Sequence, residues 1–107
     1  MKKDIIEHLK VILDLREEEC GEYLEAFAQS FDECCLQLEP LRQGELDYGR
    51  LRVVTHTLIG FSENMGAMDL LALSKSLNAA AKEPDEAACR RDIERIFALR
   101  RAYQDEA

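Results

Sequence analysis

The sequence predicts an all-α fold, an antiparallel up-down four-helix bundle with an additional N-terminal helix. Three observations carry this. The 107 residues include only two prolines and five glycines, and long tracts are free of both, whereas a sandwich or barrel needs frequent turn residues. Apolar residues make up 47% of the chain, enough to fold one domain around a core. Within the turn-free tracts the apolar residues recur at steps of three and four, the spacing of one helical face. A single domain over 1–107 follows, with the N-terminal helix over about 3–13 and the bundle over about 15–104.

In the first segment, Ile5, Ile6, Leu9, Ile12 and Leu13 lie at helical spacing between Lys3 and Leu13. Asp14 followed by Glu17 reads as a capping box that opens the next helix. From there Cys20, Leu24, Phe27, Phe31, Cys34 and Leu38 form one apolar stripe that ends near Pro40. Leu41 to Leu46, with Gly44, reads as a turn. Asp47 suits the N-cap of a third helix, whose buried stripe is Leu51, Val54, Leu58, Phe61 and Met65. Gly66 falls where a left-handed C-terminal cap belongs. A fourth helix from about Ala67 to Ala81 buries Leu70, Leu73, Ser74 and Leu77. Pro84 is placed for the first turn of a fifth helix, in which Cys89, Ile93, Ile96 and Tyr103 are in register beside Phe97. No repeat, low-complexity tract or linker divides the chain. Met1 and the compact boundaries fit a free-standing protein, although a domain excised from a longer chain would look similar.

Composition narrows the function. A net charge of −8 opposes nucleic-acid binding, because phosphate contacts need a basic face. No apolar run approaches the ~20 residues of a membrane span, and the N-terminus lacks the apolar core of a signal peptide. The expectation is a cytoplasmic protein with no membrane partner. Cys20, Cys34, Cys35 and Cys89 have neither disulfide-framework nor paired zinc-knuckle spacing. They read as small apolar residues of the core.

The stretch from His56 to Ala67 is the most informative. It sets a histidine on a helix with Gly60 one turn later and Gly66 at the helix end. Glycine inside a helix costs about 0.5–1 kcal/mol relative to alanine, so Gly60 needs a reason. Close approach of something large to His56 is one. Each helical residue advances about 100°, so His56 lies opposite the buried stripe and is expected to be exposed. Its own face carries Arg52, Ile59, Gly60 and Glu63. A helical metal site wants a second ligand one turn away, and only Glu63, two turns on, is at hand. A hydrolase triad needs a nucleophile and a pocket that a small bundle does not offer. That leaves a nucleophilic imidazole presented to another protein. His8 has no comparable surroundings and reads as an incidental surface histidine.

From Asp47 to Asn78 the chain resembles the histidine-containing phosphotransfer (HPt) domains of two-component phosphorelays. His56, Leu58, Gly60, Met65, Gly66, Ala67, Leu70, Leu73 and Leu77 match that motif in register, and Asp47 and Leu51 match the positions before the histidine. The resemblance implies a phosphorelay intermediate. His56 would accept a phosphoryl group from a receiver domain's aspartyl phosphate and pass it to another receiver. The implied partners are response-regulator receiver domains or a hybrid sensor kinase. The carrier is expected to be monomeric and to hold no cofactor of its own, with Mg²⁺ on the receiver. The resemblance implies a covalent phosphocarrier rather than a classical multiple-turnover enzyme.

The chain departs from the family pattern at two positions. Ile59 stands where the family has a lysine or arginine, and Glu63 where it has a small residue. Asn78 matches the position of a glutamine or glutamate that hydrogen-bonds the histidine, with Lys75 and Lys82 on the same face. Lys82 or Arg52 is the candidate replacement for the missing cation. Ile59, beside Gly60, is expected to enlarge an apolar docking patch. The alternative is a pseudo-HPt adaptor that docks a signalling partner without efficient transfer. A metal or redox role for the cysteines is a third reading.

Overall fold

The computed structural model describes residues 1–106. All its regular structure is helical: α1 (Lys2–Ile12), α2 (Gly21–Gln43), α3 (Tyr48–Met65), α4 (Met68–Lys82) and α5 (Glu86–Asp105), with a short 3₁₀ turn at Glu17–Glu19. The helices α2 to α5 contact one another in cyclic order. α3 packs on α2 and α4, and α5 packs on α4 and α2, while α1 lies against α3. Among the described residues no helix is long and apolar enough to cross a membrane.

One contiguous core joins the elements, from Ile5 and Leu9 of α1 to Ile93, Ile96 and Tyr103 of α5. Phe27 is its aromatic hub. Phe31, Phe61 and Tyr103 meet its ring edge-on at centroid distances of 5.9, 5.6 and 5.3 Å, the arrangement that aromatic quadrupoles favour. The buried hydroxyls of Ser62 and Ser74 donate to the carbonyls of Leu58 and Leu70 in their own helices. They therefore enter the core without an unmet hydrogen bond. All four cysteines are buried free thiols, in keeping with their spacing.

Several helix ends depart from the sequence reading. Asp14 does not open a capping box; it adopts φ 53°, a left-handed conformation that aspartate tolerates. The chain turns there, and α2 starts only at Gly21, after a 3₁₀ turn in which the Arg16 N–H donates to the Glu19 carboxylate at 3.0 Å. Residues 13–20 connect α1, which lies on α3, to the start of α2. At the other end, α2 runs through Pro40 to Gln43. Proline removes the bond to the carbonyl four residues earlier, but Leu36 and Pro40 are both exposed, so water can serve that carbonyl. The last turn is held from α5. Arg90 donates to the carbonyls of Arg42 and Gly44 at 3.2 and 2.7 Å, capping a helix terminus whose partial charge is negative. Arg42 in turn pairs with Glu94 at 2.7 Å and lies over the Phe97 ring at 4.0 Å. Pro84 lies outside α5, whose N-cap is Asp85, accepting from the Ala88 N–H at 3.1 Å.

The two ends of α3 are capped as its sequence indicates. The Asp47 carboxylate accepts from the Arg50 N–H at 3.0 Å. Gly66 takes φ 72°, and the N–H groups of Gly66 and Ala67 return to the carbonyls of Glu63 and Ser62. Against this cap sits His8, half-buried, its Nε2 3.1 Å from the Asn64 carbonyl. His8 is thus no incidental surface residue; it fastens α1 to the end of α3. A Cβ on Gly66 would lie 2.4 Å from the His8 Cγ. Gly66→Ala combines left-handed strain with that clash and is expected to destabilise the fold by about 1–3 kcal/mol. Urea unfolding checks this.

Burial pushes the Cys34 thiol up to about 11, helped by the Glu33 charge. It pushes Cys35 up to about 12, against the pull of Arg100. Below the ordinary thiol value of 9.0 both thiols are protonated in the folded and the unfolded chain and add no pH dependence. Above it the unfolded chain releases protons that the folded chain keeps, so stability falls as pH rises. The loss of stability between about pH 8 and about pH 10 is therefore expected to be smaller in Cys34→Ala/Cys35→Ala than in the parent. Urea midpoints at the two pH values measure it.

Candidate functional site

Core burial sets the geometry of α3. Leu51, Val54, Thr55, Leu58 and Ser62 form its inward face; Phe61 and Met65 pack against the core half-buried. Turning from that face by the helical advance per residue brings Arg52, His56, Gly60 and Glu63 to the outside, where all four are exposed. Ile59 is half-buried. His56 stands near the middle of the helix, away from both capped ends, on backbone that the core holds still.

α4 completes a groove around the imidazole. Gly49, Arg52, Val53, His56 and Thr57 of α3 line it together with Asn78 and Lys82 of α4. Leu77 and Ala81 are buried in the core, and this puts their neighbours Asn78 and Lys82 at the edge that meets α3. Of the residues singled out in the sequence, the fold brings Arg52, Asn78 and Lys82 to His56. It does not bring Ile59, Gly60, Glu63 or Lys75 into the groove. The groove runs from His56 toward the N-terminal end of α3, and Gly60 and Glu63 lie on the other side.

The fold also supplies groove residues that sequence reasoning passed over. Val53 is 66% exposed at the groove wall, and Gly49 leaves the far end open. Thr55, fully buried, shares its hydroxyl proton between the Arg52 carbonyl and Asn78 Oδ1, each at 3.0 Å. The sequence reading did not foresee Thr55 as a partner of Asn78; its hydroxyl anchors the amide oxygen at the seam and leaves the amide N–H₂ without a partner among the described residues. A threonine beside the apolar stripe of α3 was the available signal, since a buried hydroxyl needs an acceptor.

Among the described residues no three His, Cys, Asp or Glu side chains converge as a metal-binding group would. No protein-family model, curated protein or solved structure matches the chain. Function must therefore be argued from the residues themselves.

Nothing in the fold requires a glycine at position 60. An added Cβ there would meet no atom within 4 Å, so the open space lies outside the molecule. Gly60→Ala is expected to stabilise the protein by about 0.5–1 kcal/mol, the helix-propensity gain without a steric penalty. Denaturant unfolding reads this directly; a loss of stability would mean that the helix face at Gly60 is not free.

Proposed function

We propose that this protein is a phosphorelay intermediate of the HPt type, with His56 as the phosphoacceptor. The observation that carries the reading is an exposed imidazole at the centre of a helix clamped on its opposite face, with an unfilled position at Gly60 one turn away. A helix shaped by stability alone would place alanine there. A helix that receives another protein's active-site loops over its histidine has reason to keep glycine. In this reading α2 to α5 form an antiparallel up-down four-helix bundle, α1 is the additional N-terminal helix, and the protein works in the cytoplasm as a monomer.

The transfer step balances on one ring nitrogen. Its lone pair forms the N–P bond as the P–O bond of a receiver's aspartyl phosphate breaks. The bonding electrons return to the aspartate carboxylate, and the proton on the other ring nitrogen stays in place. The reverse step delivers the phosphoryl group to a second receiver. Phosphoryl transfer asks a protein mostly for positioning and charge stabilisation. The carrier's share is a rigid nucleophile and an open approach; the receiver supplies its Mg²⁺ and acidic pocket. Docking would use the apolar surface beside the imidazole, namely exposed Val53 and half-buried Ile59, with the acidic remainder of the surface as a steering rim.

Incubation with a receiver domain charged by acetyl phosphate tests the proposal. The expected product is an acid-labile, base-stable label on the parent that is absent from His56→Gln. Since His56 is exposed, that variant should match the parent in stability to within about 0.5 kcal/mol. Label retained by His56→Gln overturns the assignment of the acceptor. Receiver binding without any label on the parent identifies an adaptor instead.

A further inference from the structure

One end of the bundle carries apolar surface that the core does not use. In α1, Ile5 and Leu9 are buried and His8 lies on the Gly66 cap, so the helix is seated on the bundle as far as Leu9. The next turn overhangs. Ile12 continues the face of Ile5 and Leu9, yet it is 63% exposed, with Val11 at 79% and Leu13 at 49%. Met68, which opens α4 just past Gly66, is 60% exposed at the same end. Large apolar side chains exposed singly are ordinary, but these are four of the seven among the described residues, and their gathering at one end marks an interaction surface. The overhang is also held stiffly. The Leu9 carbonyl accepts from the N–H of Leu13 at 3.0 Å and of Leu15 at 3.5 Å. Leu15 packs half-buried against the core, and Asp14 makes the left-handed turn between them. A surface fixed in advance loses little conformational entropy on binding.

The charges around this surface are one-sided. Lys10 and Arg16, the cations nearest the overhang in sequence, are in ion pairs with Glu17 at 3.5 Å and Glu19 at 2.9 Å. Glu7 flanks His8, Asp14 ends the overhang, Glu63 stands in the last turn of α3 and Asp69 follows Met68. All four are exposed, and none forms an ion pair with a described residue. Such a rim repels a second copy of this chain, which brings the same rim and a net charge of −8, and it repels an anionic bilayer. We propose that the overhang of α1 and the start of α4 dock an amphipathic helix of a partner protein, apolar on one face and rich in lysine or arginine along its edges. Its apolar residues cover Val11, Ile12 and Met68, and its cations meet Glu63 and Asp69. The surface shares no residue with the groove at His56. It lies about 15 Å along α3 from that histidine, by the helical rise per residue. The proposal therefore stands whether or not His56 accepts a phosphoryl group.

The test titrates two synthetic leucine–lysine peptides into the ¹⁵N-labelled full chain, one with leucine at helical spacing and one of the same composition scrambled. The amphipathic peptide is expected to perturb backbone amides over residues 10–14 and 63–69. Ile12→Ser is expected to weaken its binding about five- to tenfold, the scale of losing a central apolar contact. Glu63→Gln and Asp69→Asn are expected to weaken it about two- to threefold each, the scale of an exposed charge pair. Leu36→Ser, which removes an exposed apolar side chain from α2, leaves binding unchanged. All four positions are exposed, so the variants keep the fold, and the amide spectrum of each verifies it. Perturbation spread over the whole acidic surface overturns the proposal, as does equal binding of the scrambled peptide or an Ile12→Ser effect no larger than that of Leu36→Ser. A parent dimer in sedimentation that Ile12→Ser dissociates also overturns it, by assigning the overhang to a second copy. Flotation with phosphatidylglycerol vesicles that Ile12→Ser abolishes overturns it in favour of a bilayer.

Discussion

Burial of one face of α3 is the constraint on which the site depends. Leu51, Val54, Thr55 and Leu58 are almost wholly removed from solvent between α2 and α4. Burying a large aliphatic side chain contributes about 1.5–3 kcal/mol, so rotating the helix enough to expose Leu51, Val54 and Leu58 would cost an amount comparable with a small domain's whole margin of stability, about 5–15 kcal/mol. With the azimuth held, the opposite face has no freedom either. The Asp47 and Gly66 caps hold the axial position in the same way, each satisfying backbone groups that would otherwise be left without partners at a helix end. His56 is thus presented by the core and the caps together, with no bonding partner of its own required.

The second wall of the site comes from the same principle applied to α4. Its buried face ends in Leu77 and Ala81, and the residues after each, Asn78 and Lys82, fall at the seam with α3. The hydrogen bond from Thr55 crosses that seam. In an apolar interface such a cross-helix contact favours one register of the two helices, because sliding either one would take the Asn78 oxygen from its buried donor and leave the Thr55 hydroxyl only the Arg52 carbonyl of its own helix. Stability of the bundle and placement of the groove are in this respect one property. The acidic surface elsewhere adds contrast: a groove whose two cations pair with no described residue, on a chain of net charge −8, repels an approaching anion less than its surroundings do.

Much of α3 is legible in the amino-acid sequence. Asp47, Gly66 and the stripe of Leu51, Val54 and Leu58 follow from cap chemistry and a period of 3.6, both local properties. Sequence reasoning fails where a distant segment overrides a local signal. α2 passes Pro40 because Arg90, far along the chain, caps its last carbonyls. Asp14 and Glu17 look like a capping box, but Asp14 takes a left-handed turn in the connection between α1, which lies on α3, and α2. His8 has no distinguishing neighbours in sequence, and its meaning comes from Gly66 and Asn64, brought to it by the fold.

The sequence by itself determined that the chain is helical, where α3 begins and ends, and that His56 and Gly60 face outward together. Those are consequences of angular spacing within one helix. Only the tertiary structure decided on which side of His56 the groove opens, that Arg52, Asn78 and Lys82 border it while Ile59, Glu63 and Lys75 do not, and that Thr55 takes the Asn78 oxygen. The reason is that periodicity gives a residue's direction from its own axis. Its distance from a residue on another helix depends on how the side chains between the two axes pack.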